Sequence, residues 1–265
     1  MVDRVKTLQG SVSMRLAVVN LKGGTGKTTT AVNLSAYLAL EGRKVLLVDM
    51  DPLADATIYS GYEPGSLKSS MVDVVFENEK IDNILISTNT PNFDIAPSEI
   101  EMSNADLILA AVKGRETILR NALDEIDERY DFIVIDTPSS MNLLLVNSLM
   151  ASDHIIVPTV PSFLSIRGLN YLTNVLLTLK NNMHHELSVL GILLTLVDSR
   201  TKAIKEVVDR LRAKFGVKVF DTVIKRSVGL IECPSFGQTI FEYDNDSLGA
   251  RCFRDLGVEI LQKID

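Results

Sequence analysis

Residues 22–30 read KGGTGKTTT and follow directly on the apolar run Leu16-Ala17-Val18-Val19. A buried strand, a glycine-rich loop and then a helix are a narrow specification. Together they aim successive backbone N–H groups at phosphate oxygens. Here Gly23, Gly24, Thr25, Gly26 and Thr29 form the loop and helix start around a triphosphate. Lys27 reaches the β- and γ-phosphates, and Thr28 places its hydroxyl for Mg²⁺. A plain glycine turn with a solvated lysine would read similarly, but would not need a strand before it and a helix after it.

The rest of the chain continues the alternation. Strand runs at 16–20, 45–49, 93–96, 132–136, 154–158 and 190–196 alternate with helical stretches at 27–41, 116–129, 143–151, 166–179, 201–215 and 248–263. This is the pattern of βαβ units: an α/β fold, with a mostly parallel twisted sheet and helices on both faces. Most of the strand runs are near-continuous Val, Ile and Leu, as expected when both faces are covered. No repeat, low-complexity tract or long linker divides the 265 residues, a length that buries a full core. The expectation is one P-loop NTPase domain over 15–265 behind a flexible tail at 1–14, with Met14 an alternative start.

Composition narrows the function classes. Hydrophobic content of 46% with 23% charge is that of a soluble globular chain. No apolar run reaches a membrane span, and the first residues lack a signal core. The two cysteines, Cys233 and Cys252, form no C-x-x-C pair, which argues against a zinc site or disulfide framework and suits a cytoplasmic setting. The net charge of −7 argues against a uniformly basic nucleic-acid binder. Between Arg200 and Arg226, however, nine basic residues stand against three acidic ones. Such a stretch is either a polyanion-binding face or an ordinary solvated helix face.

Three aspartates close apolar strands: Asp49 and Asp51 in VLLVDMDP, and Asp136 in FIVIDTP. Ligands of open α/β sheets gather at the carboxyl ends of the strands. An aspartate there, beside a P-loop, can hold the water shell of Mg²⁺, and Asp136 is the candidate. Taken singly, each aspartate is equally a turn residue or helix cap.

The loop departs from G-x-x-x-x-G-K-[ST] in one place. Leu21 stands at the first glycine, and a second lysine, Lys22, opens the loop. KGGxGK[ST] is the deviant Walker A pattern, and the chain resembles the ParA/MinD group of ATPases. The resemblance implies that Lys22 crosses a dimer interface to the partner's nucleotide, so that ATP joins two protomers and hydrolysis loosens them. It places Asp51 at the second aspartate of the family's DxDPQ signature, orienting the attacking water and joining Thr28 and Asp136 around the metal. Leu53 replaces that signature's glutamine, Asp55 a usual asparagine, and Asp136-Thr137-Pro138-Ser139 the family's DxPP.

The carboxy-terminal third, in GILLTLVDSRT, KVFDTVIKRSVGLIECPSFGQTIFEYD and SLGARCF, resembles the ParA/Soj partition ATPases. That resemblance implies an adenine pocket near Pro234. It also implies sequence-independent DNA binding by the ATP-bound homodimer, carried here by Arg200, Lys225 and Arg226, with Gly229 at a second family arginine. A ParB-like centromere-binding partner would stimulate a hydrolysis that is weak alone, on the nucleoid and away from membranes.

Other classes compete. A nitrogenase-reductase-like role lacks cysteines for a cluster. A MinD-like membrane switch needs a basic amphipathic carboxy-terminal helix, whereas RDLGVEILQKID is short, ends on an acid and is expected to pack on the sheet. The same module could position a carboxysome or chemoreceptor array instead of DNA. A metabolic synthetase would need a substrate pocket that the sequence does not identify.

Overall fold

The chain is described by a computed structural model over residues 13–162, 164–183, 185–198 and 202–264. Eight strands form one sheet: β1 (Met14–Val18), β2 (Val45–Asp49), β3 (Ile86–Ser87), β4 (Phe93–Ala96), β5 (Phe132–Asp136), β6 (His154–Thr159), β7 (Ser188–Val197) and β8 (Val219–Lys225). Their order is β3-β4-β2-β5-β1-β6-β7-β8. All pairings are parallel except β3 with β4, where Ile86 faces Ile95.

Side chains of successive strand residues point to opposite faces, so each strand feeds two cores. Ala17 of β1 and Val19 just after it join one core, with Leu119, Leu123, Leu144 and Leu169 of the covering helices. Leu16 and Val18 join the other, against Leu34 and Leu38 of helix α1 (Lys27–Leu40) and Phe253, Leu256 and Ile260 of the closing helix Leu248–Ile264. The expected layering, helices on both faces of a mostly parallel sheet, is present. The closing helix packs back on α1 and β8, as expected of its apolar residues. Among the described residues no helix is long and apolar enough to cross a membrane.

Some elements differ from the sequence reading. β1 begins at Met14, one residue before the expected domain start. The buried Ser13 donates its backbone N–H to Asp127 at 3.2 Å, and its hydroxyl also bonds that carboxylate. The single helix expected at 116–129 is instead a central helix, Ile118–Asp124, flanked by 3-10 turns at Arg115–Thr117 and Asp127–Arg129. β3 and β8 were not among the expected strands, nor were the short helices α2 (Asp55–Tyr59) and α3 (Met71–Glu77).

The candidate nucleotide site

The strand order gathers the functional loops. β1 lies between β5 and β6, so the loop after it sits where connections leave in opposite directions. The register pairs Val18 with Asp136, and Asp136 with Asp49. Both carboxylates therefore lie at the strand ends beside the glycine loop, in the crevice where α/β sheets take ligands.

The loop is held from several sides. Asn20 donates to the Pro158 carbonyl at 2.6 Å and accepts the Lys22 backbone N–H at 3.0 Å. The Thr195 hydroxyl, from β7, donates to the Thr25 carbonyl at 2.8 Å. Gly24 and Gly26 have φ of 69° and 83°, the left-handed region that a side chain would strain. No atom lies within 4 Å of where a Cβ on Gly23 or Gly24 would stand, which leaves a cradle open for phosphate.

Charge distribution points the same way. Lys27 is only 8% exposed, yet makes no ion pair among the described residues. A buried cation is stable only with an anion or strong acceptors near it. The nearby acid does not fill that role. Asp136 is fully buried, and neither carboxylate oxygen has a hydrogen-bond partner. Burial, and then the charge of Asp49, push the Asp136 pKa well above the usual carboxylate range, against smaller opposing effects of Thr28 and Lys27.

Those orphaned oxygens fit a hard cation, and the Thr28 hydroxyl adds a donor of the same type. Among the described residues no group of three His, Cys, Asp or Glu side chains is arranged to hold a metal alone. Mg²⁺ needs no such group, because it keeps several waters and takes ligands from phosphate.

Asp49 has a different task. Its carboxylate accepts the Thr57 backbone N–H at 2.9 Å, the Thr57 hydroxyl at 2.8 Å and the Asp51 backbone N–H at 3.1 Å. Burial pushes its pKa up to about 7 against these bonds, and the charge of Asp51 adds to the rise. It anchors α2 and so fixes the segment carrying Asp51. Asp51 is half-buried, and its side chain accepts the Leu53 N–H at 3.1 Å. Its charge is felt at Asp49, Asp55 and Asp136, which places it among the site's acids. Lys22 stands exposed on the loop, and among the described residues its side chain has no partner.

A cavity of about 390 Å³ opens beside the loop, from Gly24, Gly26, Thr29 and Thr30 to Thr195 and Leu196, with Ile224 to Ser227, Leu230, Ile231 and Phe253 beyond. Pro234, expected against adenine, is not in this lining. Its 3-10 turn (Cys233–Phe236) is drawn onto α2 instead: the Cys233 sulfur lies 2.9 Å from the Tyr59 hydroxyl, and a Cβ on Gly237 would stand 2.6 Å from the Gly61 Cα. Lys225 and Arg226, expected to face DNA, do line the cavity and are exposed. Arg200 lies outside the described residues. Neighbours occupy much of the remaining basic stretch. Arg210 pairs with Glu206 at 2.7 Å and Arg212 with Asp221 at 3.3 Å, while Lys214 bonds Asn170 and Lys218 the Val189 carbonyl.

Comparison with known proteins gives concordant results. A family model described as an AAA domain matches residues 13–189. The chain is 38% identical over 245 residues to the sporulation initiation inhibitor protein Soj of Bacillus subtilis strain 168, spanning 92% of this chain and 97% of that protein. It is also 38% identical over 248 residues to the chromosome-partitioning ATPase Soj of Treponema pallidum strain Nichols, spanning 94% and 97%. Among solved structures, cobyrinic acid a,c-diamide synthase from Mycobacterium smegmatis, with bound ATP analog and magnesium, superposes with a TM-score of 0.77. The identity is 33%, over 85% of this chain and 93% of that one.

Proposed function

From the premise that this chain belongs to the ParA/Soj family of partition ATPases, we propose that it binds ATP with Mg²⁺, dimerises around it and releases the dimer by hydrolysis. One observation carries the reading: among the described residues, the glycine loop holds a buried lysine with no ion-pair partner, Lys27, and an exposed one whose side chain has no partner, Lys22. The first needs an anion inside its own protomer. The second is free to reach an anion held by another. Burying γ-phosphate charge at an interface is favourable only when cations come with it.

Roles follow from position. The loop N–H groups and Lys27 hold the phosphates, while Thr28, Asp136 and Asp51 serve the metal shell. Asp51 also orients the attacking water. Mg²⁺, when bound, supplies positive charge against the phosphate oxygens. Exposed Leu53, Met141 and Leu164 follow the ends of β2, β5 and β6, on the loop side of the sheet, and give the dimer an apolar rim.

The ATP-bound dimer binds duplex DNA without sequence preference through Arg200, Lys225 and Arg226, and so associates with the nucleoid. A ParB-like partner stimulates its weak hydrolysis. The same switch would serve a chromosome, a plasmid or a protein assembly such as a carboxysome, and the identity of the stimulating partner separates these. A MinD-like membrane role is disfavoured by the buried apolar face of the closing helix. The solved synthase suggests a second reading, in which hydrolysis depends on a small-molecule acceptor rather than on DNA and a protein partner.

Sedimentation with Mg²⁺ and ATP tests the switch. The wild type should shift from monomer to dimer. Lys22→Ala should stay monomeric while still binding ATP. A normal ATP-dependent dimer of that variant would remove the trans role.

A further inference from the structure

Four non-glycine residues among those described have positive φ: Ala54, Asn78, Asn92 and Leu196. The first three lie in turns or helix caps. Leu196, at φ 52°, lies inside β7. The β7–β8 register explains how. Leu194 faces Val223 and Val197 faces Lys225, so three steps along β7 match two along β8. The extra residue makes a bulge, and the left-handed position of a bulge is ordinarily taken by glycine.

A strained leucine is retained only where the surroundings hold it and its side chain has a use. The surroundings are firm. Thr195 is tied to the loop through its bond to the Thr25 carbonyl, and Val197 is buried in a core. The side chain itself joins neither core. It is 36% exposed and faces the cavity beside the glycine loop. The phosphate end of that cavity is glycine and threonine; the rest of the lining sets apolar Ile224, Leu230, Ile231 and Phe253 beside the polar Lys225, Arg226 and Ser227.

We propose that the β7 bulge holds Leu196 as the platform against which the nucleobase lies, so that its strain serves base affinity and not the fold. This rests on the nucleotide reading above. It assigns to Leu196 a specificity role that neither the motif nor the acidic residues supply.

The test compares ATP with inorganic tripolyphosphate, each with Mg²⁺, by calorimetry on the whole chain. Glycine takes φ 52° without strain, so Leu196→Gly should keep tripolyphosphate affinity while weakening ATP about tenfold, the scale of one partly buried leucine side chain. Leu196→Asn, which also tolerates the left-handed region but is polar, should behave alike. Leu196→Met should recover most of the ATP affinity. Unchanged ATP affinity in the glycine and asparagine variants would overturn the assignment, as would equal loss of both ligands. A wild type that binds tripolyphosphate but prefers no base would overturn it too. A wild type that binds neither ligand would instead overturn the nucleotide reading itself.

Discussion

At the phosphate end of the cleft, one continuous segment, Asn20 to Thr30, carries the glycine loop and both lysines, and is pinned to β6 and β7 through Pro158 and Thr195. At the base end, the cavity wall is assembled from residues 24–30, 195–196, 224–231 and 253. Positions that far apart meet only through the sheet order β1-β6-β7-β8 and the closing helix. The first region is a motif with a fold around it. The second is a fold that happens to leave a cavity, and its residues answer to packing as much as to a ligand. Substitutions at the two ends should therefore fail in different ways.

The largest effect is expected from Asp51→Asn. The amide can still accept the Leu53 N–H, so the turn after β2 should hold, and ATP affinity should stay within about threefold. Without the carboxylate to orient water, turnover should fall by roughly 10²–10⁴. Single-turnover hydrolysis beside equilibrium ATP binding checks this. A parallel loss of binding would mean that the residue supports the loop and not the reaction.

A smaller effect is expected at the other end. Lys225→Glu with Arg226→Glu reverses two exposed charges at the cavity rim and should weaken binding to random duplex DNA about tenfold or more. The dependence of log affinity on log salt should become shallower by about one for each phosphate no longer neutralised. Because the same residues line the cavity, ATP affinity should fall as well, which no variant confined to an outer DNA face would cause. Anisotropy across a salt series, with and without ATP, distinguishes the two. Unaltered DNA binding would detach the rim from the DNA surface.

The contrast also explains what could be read from the chain. β2 and β5 fall at their expected bounds because buried parallel strands are uninterrupted apolar runs with polar ends, and β4 does so although Asp94 interrupts its run. β8 was missed because Asp221 and Thr222 break its run near the sheet edge, and β3 because it is two residues long. That Asp136 ends a strand beside the loop was legible, since each follows an apolar strand run and the register pairs Val18 with Asp136. Pro234, set near adenine by the family resemblance alone, lies outside the cavity lining, because position in the chain says nothing of the Cys233–Tyr59 contact that turns the segment toward α2. Leu196 gave no signal. In an apolar strand run a leucine is unremarked, and its strain shows only in the positive φ that the β7–β8 register mismatch imposes.

A third location is the control for both ends. At the start of β1, across the sheet from the cleft, Asp127 accepts from Ser13 and from Arg15, whose Nη2 lies 2.7 Å away and also meets Asp124 at 2.8 Å. Burial pushes the Asp127 pKa up, but the Ser13 and Arg15 bonds outweigh it and hold the carboxyl below its usual range. A depressed folded-state value means that the unfolded chain takes up a proton first as pH falls. Stability from this group is therefore complete above about pH 5 and is lost as pH drops through about 4 and below. Asp127→Asn should cost about 1–2 kcal/mol at neutral pH, in keeping with hydrogen bonds to a charged acceptor. The gap from wild type should close in acid, while ATP affinity stays unchanged throughout. Urea unfolding at several pH values measures the gap. A gap that persists at pH 3 would mean that the carboxyl is held by packing and not by its charge, and a change in ATP affinity would mean that this distant group is coupled to the cleft.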